Sequence, residues 1–186
     1  FNDIDVPPTV CSFAVDVATL QDVCSPELKT AGNVLVKFDI QRDKYSLPVF
    51  DQVMPLYEKI TQMIHDKVIV SAYAVTSGGV CEAVSKMAFG NELGVAFDDS
   101  LAMEDLFDKE YGSIVAEVAL EDLDKITAEY KKLAVVTDQP NFVIGPTVIS
   151  MDQAKEAWMG RLESVCPTQS GVEQKTLSDD LYQAKD

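Results

Sequence analysis

Histidine is almost missing from this chain: His65 is the single one in 186 residues. A His-rich metal centre is therefore excluded, and any nucleophile–His–acid machinery would have to rest on His65. That residue falls near the end of a predicted helix, followed by Asp66 and Lys67, where a charge complementing the helix dipole is the simpler role. Basic residues are also scarce, 15 Lys and Arg against 31 Asp and Glu, for a net charge of −16 and a pI near 4.3. This argues against nucleic acid as a partner, because phosphate backbones are held by clustered Lys and Arg. No apolar run approaches the ~20 residues that span a bilayer, and no signal-peptide pattern is visible, so no membrane partner is expected. The four cysteines, Cys11, Cys24, Cys81 and Cys166, lie far apart with no CxxC spacing. They read as free thiols of a reducing compartment, which makes a cytoplasmic location the expectation. The chain opens on Phe1, not Met, as a processed chain or a piece of a longer one would.

What is present is a core. Hydrophobic residues make up 47% of the chain, enough for one domain with a tail. Val10 to Val17 reads as a first strand. Asn33 to Ile40 alternates, with Val34, Val36, Phe38 and Ile40 on one face and Lys37 and Asp39 on the other, the pattern of a half-buried strand. From Val49 to Ile64 the apolar residues recur at helical spacing around Pro55, which either lies close to the helix start or kinks it. Lys67 to Val75 is the next strand. The helix after Gly79 places Val80, Ala83, Val84, Met87 and Ala88 on one stripe and turns Glu82, Ser85 and Lys86 outward, with Gly90 as its stop. A short strand at Val95 to Phe97 and a short helix at Ser100 to Phe107 follow. Gly112 to Val118 is a strong strand, and Glu121 to Lys132 a charged amphipathic helix. Leu133 to Thr137 and parts of Phe142 to Ile149 are short strands. Ser150 with Gln153 forms a capping box for a last helix that buries Ala154, Ala157, Trp158 and Leu162. After Pro167 no period survives. The order of elements indicates an α/β (α+β) domain with one mixed β-sheet and packed helices over residues 1–167, and a polar linker over 168–186.

Few residues point to chemistry. Thr76-Ser77-Gly78-Gly79 joins a strand to a helix. Backbone N–H groups at a helix N-terminus attract anions, and glycines let a phosphate approach. The same four residues also suit a capped strand–helix turn, and they lack the Lys of a P-loop and the third Gly of a dinucleotide fingerprint. Asp98 and Asp99 could hold a magnesium ion but suit the capping of the next helix better. No catalytic residue and no metal ligand is expected in this chain.

Ser71 to Gly94 carries a resemblance. The stretch reads Ser71-Ala72-Tyr73-Ala74-Val75-Thr76-Ser77-Gly78-Gly79-Val80, then Lys86-Met87-Ala88-Phe89-Gly90. It resembles the C-terminal type of domain of the AIR-synthase (PurM-like) superfamily, and within it the phosphoribosylformylglycinamidine synthase family, the amidotransferases of purine biosynthesis. In that family the turn reads Ser-Ala-His-Asp-x-Ser-Asp-Gly-Gly-Leu and the helix Glu-Met-Ala-Phe. The likeness runs from about Thr9 to Pro167.

The resemblance implies a PurM C-terminal-domain-like fold and a parent enzyme, a ligase that converts formylglycinamide ribonucleotide, glutamine and ATP to the amidine. It implies ATP and Mg as cofactors of that parent, with none held tightly by this piece alone. Its partners would be N-type ATP-binding domains and a glutaminase domain of the same chain. Thr76, Ser77, Gly78 and Gly79 would face a nucleotide or phosphate. The family's His is Tyr73 here, its magnesium-binding Asp is Ala74, and its second Asp is Ser77. This piece is then expected to be mainly structural. Another PurM-like enzyme, of hydrogenase-maturation or selenophosphate type, and a non-catalytic scaffold module are the alternatives.

Overall fold

A computed structural model of the chain describes residues 5 and 8–167. Seven strands form one sheet in the order β2-β4-β1-β5-β3-β6-β7. The strands are β1 (Val34–Phe38), β2 (Ile69–Ala74), β3 (Gly94–Phe97), β4 (Ile114–Val118), β5 (Lys131–Thr137), β6 (Asn141–Ile144) and β7 (Thr147–Ser150). Every pairing is antiparallel except β3 with β6. The helices are α1 (Phe50–His65), α2 (Gly79–Asn91), α3 (Met103–Phe107) and α4 (Met151–Gly160). The mixed sheet with packed helices is the class the sequence indicates. α1 connects β1 to β2, and α2 connects β2 back across the sheet to β3. The two crossovers run in opposite directions and lie on opposite faces, as one common hand requires.

Two cores result. Val34, Val36 and Phe38 of β1 pack with Ile60 and Met63 of α1 and with Ala116 and Val118 of β4. On the other face Leu35, Val115 and Leu133 pack with Val80, Ala83, Val84, Met87 and Ala88, the stripe expected on α2. β1 is thus buried on both faces, including Lys37, where alternation suggested a half-buried strand. Its position between β4 and β5 explains the difference, because both faces carry helices.

Other expectations change in the same way. Val10 to Val17 is exposed and forms no strand, since an isolated run has no neighbour for its backbone groups. Glu121 to Lys132 is not one helix. A 3-10 turn covers Leu120–Lys125, and Lys131 already belongs to β5, whose place beside β1 outweighs the local helical pattern. The helix after Ser100 is shorter than expected, starting at Met103. Pro55 lies inside α1 and removes the N–H that would bond the Asp51 carbonyl. α2 runs through Gly90 and ends at Glu92, which takes the left-handed conformation. Gly90 serves packing, since a Cβ there would lie 2.4 Å from Glu27 Cβ. The capping box of α4 is present, with Ser150 Oγ accepting from Gln153 N–H at 3.2 Å. Of the residues that helix was expected to bury, Trp158 and Leu162 are mostly exposed. The expected linker, 168–186, lies outside the described residues.

A buried carboxylate holds the entry to the sheet. Glu117 of β4 is fully buried. It accepts the backbone N–H groups of Lys29 and Thr30 at 2.8 and 3.0 Å and the Asn33 side-chain amide at 2.7 Å. Ser71 Oγ donates to the Pro26 carbonyl, and Leu28 N–H donates to the Met87 carbonyl. Residues 26–33 are therefore tied to β2, β4 and α2 before β1 begins. Removing one partner leaves the others buried and unpaired, at about 1–3 kcal/mol each. Glu117→Ala is expected to destabilise the fold by about 2–4 kcal/mol, read as a lowered midpoint in chemical denaturation.

Candidate functional site

The glycine turn sits where β2 hands over to α2. Val75 N–H donates to the Ser113 carbonyl at 2.8 Å, and Gly79 N–H donates to the Thr76 carbonyl at 3.1 Å. Gly78 is the N-cap and Gly79 has φ +71°, a conformation that favours glycine. Gly79 also lies against α3: a Cβ there would come 2.7 Å from the Leu106 carbonyl oxygen. Its lack of a side chain is thus required by packing as well as by the turn. Thr76 is half-buried and Ser77 exposed.

The turn's donors converge on a carboxylate of the chain itself. Glu82 Oε2 accepts from Thr76 Oγ1 and from Gly78 N–H, each at 2.7 Å. Its other oxygen accepts from Lys86 Nζ at 2.6 Å, and that ammonium lies 5.9 Å from the Tyr73 ring centroid. A hydroxyl, a helix N-terminal amide and an ammonium are the donors an anion needs. The Lys86, Thr76 and Gly78 hydrogen bonds hold the Glu82 carboxyl down to about 2. The sequence places Glu82 and Lys86 outward and does not single them out. The signal that could have found them is the Glu four residues before a Lys on one helix.

The lysines around this end of the sheet are also paired. Tyr73, Val115, Lys37 and Lys131 form a row across β2, β4, β1 and β5. Lys37 bonds Glu110, and Asp39 at 3.0 Å. Burial pulls the Lys37 pKa down, but the two carboxylates outweigh it and leave it above the ordinary lysine value. Lys131 bonds Asp105 at 2.5 Å, and this holds the Asp105 carboxyl low. Beside the turn, an apolar cleft of about 390 Å³ lies between α2 and α4, with Cys81, Phe89, Phe107 and Trp158 in its walls. Burial pushes the Cys81 thiol up to about 11, so it stays protonated at neutral pH.

The other candidates are placed elsewhere. Asp98 accepts from Ser100 N–H and Oγ in a local turn, while the N-cap of α3 is Ala102, whose N–H donates to Asp105. Asp98 and Asp99 thus do not cap that helix. His65 is the exposed last residue of α1. Among the described residues, no three His, Cys, Asp or Glu are grouped to hold a metal ion. Nor is any helix among them long and apolar enough to cross a membrane.

Sheet order, helices on both faces and the glycine turn at the β2–α2 joint define an α/β domain built on one mixed sheet. The chain is similar to phosphoribosylformylglycinamidine synthase subunit PurL of Pelagibacter ubique, with 26% identity over 178 residues, 83% of this chain and 24% of that protein. The chain therefore spans about a quarter of the length of this relative. Its fold is shared with Thermotoga maritima PurL complexed with AMPPCP, at a TM-score of 0.60 and 16% identity, covering 73% of this chain and 27% of that one. It is shared also with PurLQS from T. maritima, at a TM-score of 0.55 and 16% identity, over 91% of this chain and 32% of that one. No protein-family model matches the chain.

The depressed Glu82 pKa ties the turn to stability. The ordinary carboxyl value near 4.5 applies to the unfolded chain, so the stabilisation is present above about 4.5 and is lost as pH falls towards about 2. Glu82 is about a quarter exposed, and screening reduces the effect. Glu82→Gln is expected to cost about 1–2 kcal/mol at pH 7. The gap to the unsubstituted chain should close between pH 4.5 and 2 in denaturation curves taken across that range.

Proposed function

We propose that this chain is a domain of a phosphoribosylformylglycinamidine synthase, a cytoplasmic ligase of purine biosynthesis. The parent would convert formylglycinamide ribonucleotide, glutamine and ATP to the amidine. The observation that carries this reading is the similarity to PurL, which extends over 83% of the chain and is not confined to one motif. Residues 1–167 would form the PurM C-terminal-like domain and 168–186 a linker towards a glutaminase domain. N-type ATP-binding domains and the glutaminase would be its partners, so the 186-residue piece alone would be inactive.

Within that enzyme this domain would be mainly structural. Thr76, Ser77, Gly78 and Gly79 would stand on the wall facing a nucleotide. When bound, ATP with Mg would supply the phosphoryl group that activates the amide oxygen. This chain's own residues favour a supporting role there. Ala74 has no side-chain oxygen for a metal, and Lys86 stands where the resembling family has Glu. Glu82, one helical turn earlier, already occupies the donors of Thr76 and Gly78. Lys37, Lys86 and Lys131 are each paired with a carboxylate of this chain.

Two measurements on the parent protein test this. ADP release from ATP should require the ribonucleotide and be coupled to glutamine-dependent amidine formation; turnover indifferent to the ribonucleotide would refute the synthase. Ala74→Asp should leave kcat and KM within about twofold, because a carboxylate placed in a structural domain meets no reacting group. A change of ten-fold or more, about 1.4 kcal/mol of transition-state free energy, would assign this domain a catalytic part.

A further inference from the structure

Residues 10–18 belong to no helix and no strand of this domain. Val10, Phe13, Val15 and Val17 are 96, 89, 97 and 95% exposed. Apolar exposure continues along the chain through Leu20 and Val23. Scattered exposed apolar residues are ordinary, but a continuous run of large ones marks a surface that another element covers. The run has strand chemistry. Cys11, Phe13, Val15 and Val17 fall on one side at a period of two, and Val10, Ser12, Ala14 and Asp16 on the other. Valines and Phe favour the pleated conformation. Pro7 and Pro8 precede it, which suits the start of a strand and not its middle. After it, residues 26–33 are fastened to this domain through Glu117, Ser71 and Met87. The run thus lies upstream of the point where the domain begins to hold its chain.

We propose that residues 10–17 form a β-strand in the sheet of the domain that precedes this one in the parent chain, with Cys11, Phe13, Val15 and Val17 facing that domain's core. The proposal rests on the reading that this chain is part of a longer one, in keeping with its covering 24% of its relative. Addition to a sheet edge supplies the partners that the exposed N–H and C=O groups need. A second copy of this chain fits less well as the occupant, because two bodies of net charge −16 repel each other. The strand would make the junction between the two domains a shared element, fixed at both ends, and not a free linker.

Hydrogen exchange tests this without an activity assay. The 186-residue chain and the full parent are exchanged in the same buffer, and peptides spanning residues 10–17 are followed. These amides should exchange at unprotected rates in the 186-residue chain at every concentration. In the parent they should be slowed by about 100-fold or more, as in a paired strand. In the parent, Phe13→Asp with Val15→Asp should remove that protection while peptides of β5 stay protected. Fast exchange in the unsubstituted parent would overturn the proposal. Protection already present in the dilute 186-residue chain would overturn it in favour of docking on this domain itself. Protection that rises with concentration would overturn it in favour of a second copy. A parent that protects the strand but lacks synthase activity would refute the proposed function and leave this inference standing.

Discussion

The fold depends on one buried carboxylate. Glu117 lies on β4, between β2 and β1, and its oxygens end the search of two backbone N–H groups and one amide for partners. A charge buried this completely is tolerated only when fully hydrogen-bonded. That condition dictates the path of residues 26–33, and the path in turn sets where β1 enters between β4 and β5. Ser71, in register with Glu117 on β2, fastens the same connection at Pro26. The narrow approach of Glu27 to Gly90 is a consequence of that route.

The same logic operates at the glycine turn on a smaller scale. A strand–helix joint with a hydroxyl, an exposed amide and a nearby lysine is electropositive whatever occupies it. Here the occupant is Glu82, and the charges of this end of the sheet cancel in pairs: Lys86 with Glu82, Lys37 with Glu110, Lys131 with Asp105. The donors of the turn thus serve the stability of this domain itself.

Local pattern failed where neighbours decide. Glu121 to Lys132 has helical spacing, yet its end is needed as the strand beside β1, and the ladder hydrogen bonds on that edge outweigh a weak propensity. Val10 to Val17 has strand spacing, yet no neighbour within the described chain completes it. Asp39 is exposed as its place in the alternation suggests, but Lys37 is buried, because alternation cannot show that a second layer covers the far side of a central strand. In each case the missing information is which surface a residue meets.

What the sequence by itself determined was the class of fold, the helical stripe of α2, the capping box of α4 and the glycine turn. These are written in periods of two and 3.6, in turn chemistry and in short motifs, all of them local. Only the tertiary structure decided what holds the connection into β1, what fills the turn and which lysines are already spent. Those depend on contacts between residues as far apart as Lys29 and Glu117, or on a side chain such as Glu82 turning back along its own helix to meet the turn. Distance and direction of that kind exist only after the chain has folded.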